Sequence, residues 1–64
     1  MRLTVFWELM NRRFGEVYAA SLAQDAVLAA LGGRTVTEAL EAGVDPKDVW
    51  AAVCEYADVP VPDR

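Results

Sequence analysis

Few groups in this chain could do covalent or acid–base chemistry. There is no histidine and one cysteine, Cys54. Without histidine the chain lacks the usual general base, the usual zinc ligand and the usual pH switch. A single thiol makes no intrachain disulfide and no cysteine metal site. Cys54 stands between Val53 and Glu55 with no neighbouring cation to lower its pKa. A small buried core residue is therefore the plainer reading, and a redox-sensing thiol the sharper one. Carboxylates remain. Glu38 with Glu41, and Asp45 with Asp48, are close enough in sequence to face similarly, as an acid–base pair or metal ligands would. Both pairs are fully explained as helix caps and solvated helix faces. Gly32-Gly33-Arg34-Thr35 precedes a helix start, where an anion could sit, but it lacks the further glycine and the lysine of a phosphate loop. Neither catalysis, a metal nor a cofactor is expected.

What remains is recognition by surface. Trp7 and Trp50 each stand beside another large apolar residue, Phe6 and Val49. Adjacent helix positions point about 100° apart, so a small core need not cover both members of each pair. Completion of the core is the plain reading of both indoles. An indole left partly exposed becomes the candidate anchor for a protein partner. For a polyanion the candidate cations are Arg2, Arg12, Arg13, Arg34 and Lys47, of which Arg34 and Lys47 lie in the second half of the chain.

The elements that would position these residues are well signalled. Thr35-Val36-Thr37-Glu38 has the form of a capping box, and Val36, Ala39 and Leu40 then make one face of a short helix. Gly43 suits a left-handed residue past its end. Asp45 suits the N-cap of a following helix, Pro46 its first position and Asp48 its first turn. Upstream, Leu3, Phe6, Trp7, Met10 and Phe14 recur at spacings of three and four, with Thr4 as the N-cap and Gly15 as the stop. An alanine-rich helix follows, ended by Gly32-Gly33. The expected fold is all-α: a compact bundle of four helices at about 4–14, 17–31, 36–42 and 46–57. Residues 1–58 form one domain and 59–64 an extended tail, with Val59 packing on the core. The second half has a helix-turn-helix outline.

Charge decides how that outline is read. The formal net charge is −4, and an acidic domain is repelled by nucleic acid and by anionic membranes unless its cations cluster. The last helix offers Lys47 against Asp45, Asp48, Glu55 and Asp58, where a recognition helix needs cations and polar donors. No apolar run approaches the roughly 20 residues of a membrane span, and no signal peptide is visible. A cytoplasmic protein is expected.

Several stretches resemble a small actinobacterial family of unknown function. They are Met1-Arg2-Leu3-Thr4 with Phe6-Trp7-Glu8, Phe14-Gly15, Leu31-Gly32-Gly33-Arg34-Thr35-Val36, Glu38-Ala39-Leu40, Ala42-Gly43, Pro46-Lys47-Asp48-Val49-Trp50 and Ala52-Val53-Cys54. The likeness covers nearly the whole chain. It implies genes lying near those for the RecA recombinase and its regulator RecX, hence a connection with DNA repair or recombination, and it implies no activity. The leading expectation is a non-enzymatic protein-interaction module that binds an unknown protein partner or a second copy of itself. The alternative is a helix-turn-helix DNA-binding protein using Arg34 and Lys47.

Overall fold

The computed structural model describes residues 1–60 and 62. Helix α1 spans Leu3–Phe14, α2 Glu16–Asp25, α3 Val36–Glu41 and α4 Pro46–Tyr56, with a 3-10 turn at Ala29–Leu31. The fold is all-α with four helices, and no strand forms among the described residues. Helix α1 packs on α2 and α4, α3 packs on the same two, and the 3-10 turn lies on α4. Phe6 and Met10 from α1 meet Leu22 from α2, Val36 from α3, and Val49, Trp50, Val53 and Cys54 from α4 in one core.

The signalled termini form as their residue types require. The Glu38 backbone N–H donates to the Thr35 hydroxyl at 3.2 Å, and the Thr35 N–H donates to the Glu38 carboxylate at 3.0 Å. At α4 the Lys47 N–H donates to the Asp45 carboxylate at 2.9 Å, and Pro46 occupies the first helical position. Each such cap contributes about 1 kcal/mol. Helices α3 and α4 end alike. The Val44 N–H donates to the Ala39 carbonyl around left-handed Gly43, and the Val59 N–H donates to the Cys54 carbonyl around left-handed Asp58. The second turn carries Val59 into the core as expected. The extended conformation expected for 61, 63 and 64 lies outside the described residues.

Five boundaries differ from the sequence pattern, four by one residue and the end of α2 by six. Helix α1 starts at Leu3, so Thr4 is already helical and caps nothing; the Arg2 carbonyl accepts from the Phe6 N–H instead. Helix α2 stops at Asp25, well short of the glycine pair. Ala26 is extended, and Leu28 pairs with Arg34 in a single antiparallel bridge. The 3-10 turn and left-handed Gly32 and Gly33 fill the loop between them. Burial explains the break: it turns Leu28 into the core, where it is fully covered. A tertiary hydrogen bond supports it. The Thr37 hydroxyl donates to the Ala23 carbonyl at 3.2 Å, taking an acceptor of the last turn that helix continuation would have used.

The capping box makes stability respond to acid. Hydrogen bonding to the Thr35 backbone N–H, then to the Thr35 side chain, holds the Glu38 carboxyl below its ordinary value of 4.5, and nearby Arg34 adds to this. A carboxyl depressed in the folded state stabilises fully above its unfolded pKa, and that contribution fades as pH falls through the folded value. Glu38→Gln is therefore expected to melt below the parent chain at neutral pH. The gap should close on acidification below pH 4.5, followed by circular dichroism. A gap unchanged across that range would show that the charge on Glu38 contributes nothing.

Candidate functional site

The two tryptophans take different places. Trp50 is 5% exposed, inside the core, and meets Phe6 edge-to-face at a centroid distance of 6.3 Å. It is therefore no surface anchor: its neighbour Val49 is fully buried as well, because the stripe on α4 is wide enough to cover both. Its indole Nε1 is buried without a hydrogen-bond partner. Trp7 is half-buried and packs edge-to-face on Phe6 at 5.3 Å, so most of its ring serves the core margin.

Arg34 and Lys47 lie on different elements. Arg34 is exposed in the loop before α3, where its charge acts on Glu38. Lys47 is exposed in the first turn of α4 beside Asp48, and its backbone is held by the Asp45 carboxylate. The exposed positions of α4 are Lys47, Asp48, Ala51, Glu55 and Tyr56, one cation against two carboxylates. Cys54 is a buried core residue. Among the described residues no group of three or more metal-ligating side chains converges, and no helix is long and apolar enough to cross a membrane.

The surface feature that does stand out surrounds Tyr56. Its ring is 56% exposed at the C-terminal end of α4. One cleft of about 230 Å³ lies between it and α2, lined by Tyr18, Ser21, Leu22, Asp25 and Ala26. A second of about 230 Å³ lies on its other side, lined by Leu28, Ala29, Ala30, Ala52 and Glu55. The early end of α2 creates this division, since the chain leaves the helix at Ala26 and returns to α4 through Leu28. Tyr18, Ser21, Leu22 and Asp25 share a face of α2 by their spacing of three, four and seven. Tyr18 is 57% exposed and stacks at a tilt on Phe14, while the Ser21 hydroxyl donates to Asp25 at 3.1 Å.

Neither tyrosine stands out in the sequence. On α4, Tyr56 follows Val49 and Val53 at i+7 and i+3, so helical phase puts it on the inward face. It is nevertheless exposed, although Val53 before it and Val59 after it are buried. The signal that could have found it is its position two residues before the helix stop at Asp58.

A family model described as protein of unknown function (DUF3046) matches residues 1–62. No curated protein and no solved structure matches the chain. The match spans the four helices and both clefts, and the chain belongs to this family of unknown function.

Proposed function

We propose that this chain is a non-enzymatic protein-interaction module whose working surface is the Tyr18–Tyr56 face. The observation that carries this reading is the pair of half-exposed phenol rings bordering two small clefts. At about 230 Å³ each, the clefts fall below the roughly 300–1,000 Å³ typical of small-molecule pockets, and they suit single side chains of a partner. Tyrosine is amphipathic and costs little conformational entropy to fix, which makes it effective at interfaces. The absence of histidine and the buried state of Cys54 support a role without catalysis. A place beside recombination genes, which the family resemblance implies, is compatible with such a module.

Site-specific photo-crosslinking tests the reading in cells. A photoreactive phenylalanine at position 56 is expected to give discrete adducts that the same group at exposed Glu41, on α3, does not. Equal adduct patterns from both positions would overturn the assignment of this face. Duplex DNA titrated at low and moderate salt is expected to show no micromolar binding. Tight binding with a steep salt slope would instead place Arg34 and Lys47 on phosphates.

A further inference from the structure

We infer that the partner segment held by this face is cationic and amphipathic: its apolar side chains enter the clefts on either side of Tyr56, and its arginines or lysines meet Asp25 and Glu55. This rests on the interaction reading above and adds the chemistry of the partner. Charge is the first argument. The residues that line the two clefts include two carboxylates, Asp25 and Glu55, and no cation. One carboxylate lines each cleft, Asp25 in the first and Glu55 in the second. Both are exposed, so neither is consumed by burial in the fold.

Ring chemistry is the second argument. Tyr18 and Tyr56 are more than half exposed beside those carboxylates, and a guanidinium or ammonium is attracted to a phenol ring face as well as to the acid next to it. Leu22 and Leu28 supply apolar floor to the two clefts. A second copy of this chain fits poorly. A two-fold contact sets the same patch against itself, which here brings carboxylates together with no cleft-lining cation to offset them. Nucleic acid and anionic lipid are repelled by the same field.

Selection from a displayed library of random peptides tests this. The intact chain is expected to enrich sequences in which arginine or lysine alternates with apolar residues. The Asp25→Asn, Glu55→Gln double variant keeps shape and hydrogen-bond acceptors. It should bind the selected peptides roughly three- to tenfold more weakly by fluorescence anisotropy at low salt, with the difference shrinking as salt is added. Tyr56→Ala should weaken them by roughly thirtyfold, as the loss of a central anchor does. Enrichment of neutral or acidic peptides that still depend on Tyr56 would overturn the cationic partner and leave the interaction module standing. No peptide depending on Tyr56 would overturn both.

Discussion

Phe6→Ala is expected to leave this chain largely unfolded or close to its unfolding midpoint at 25 °C. Phe6 is fully buried, and both tryptophans pack on it edge-to-face. Truncating a buried phenylalanine costs about 3–5 kcal/mol, part of it lost transfer energy and part the cavity left behind. Stability runs at roughly 0.05–0.15 kcal/mol per residue, so a chain of this length holds roughly 3–10 kcal/mol in all. Short chains also bury a smaller fraction of their surface. The substitution thus removes from about a third to all of the margin. Its neighbour gives the control: Val5 is 38% exposed, and Val5→Ala should stay within about 0.5 kcal/mol of the parent. Urea titrations of the two variants decide the matter. A Phe6→Ala chain that unfolds within about 1 kcal/mol of the parent would mean that the core is not built on that ring.

Local chemistry explains which parts of this fold were legible in the sequence. Thr35 with Glu38, and Asp45 with Pro46, satisfy backbone groups within their own turn, so their residue types alone locate the starts of α3 and α4. Gly15 and Gly43 are legible for a similar reason. Their φ values of +84° and +88° are ones that a side chain strains to adopt. The end of α2 is different. Ala26-Val27-Leu28-Ala29-Ala30-Leu31 contains good helix formers and no breaker, and by propensity alone it continues the helix. What ends it is distant: Leu28 gains full burial in the core, and Thr37, fourteen residues after Ala23, donates to that residue's carbonyl. Both depend on where α3 and α4 come to lie, which no local window contains.

The candidate site inherits that limit. Once α2 breaks at Ala26, Tyr56 stands between two short walls and becomes a surface ring. The charge of the face rests on the residues that line it, Asp25 and Glu55 with no cation among them. Sequence neighbours alone leave the place of Trp50 open, and the width of the α4 stripe decides it: α4 buries Val49, Trp50, Ala52, Val53 and Cys54, an arc broad enough to take in adjacent positions.

Trp50→Ala and Trp50→Phe are expected to part company. Removing the whole indole from the core should cost about 3–5 kcal/mol, comparable to the loss of Phe6. Phenylalanine keeps an aromatic ring against Phe6 and removes the Nε1 donor, which is buried with no acceptor. A buried donor left unpaired carries a desolvation cost of about 1–3 kcal/mol, and removing it offsets much of the area lost with the smaller ring. Trp50→Phe should therefore lie within about 1 kcal/mol of the parent, at least 2 kcal/mol above Trp50→Ala. Chemical denaturation followed by the fluorescence of the remaining Trp7 measures both. Equal, large losses in the two variants would show that the indole N–H finds an acceptor in solution. The same contrast settles how binding should be probed. Lost binding by Trp50→Ala would report a collapsed core, whereas Tyr56→Ala trims a ring that is already half in solvent and leaves the core whole.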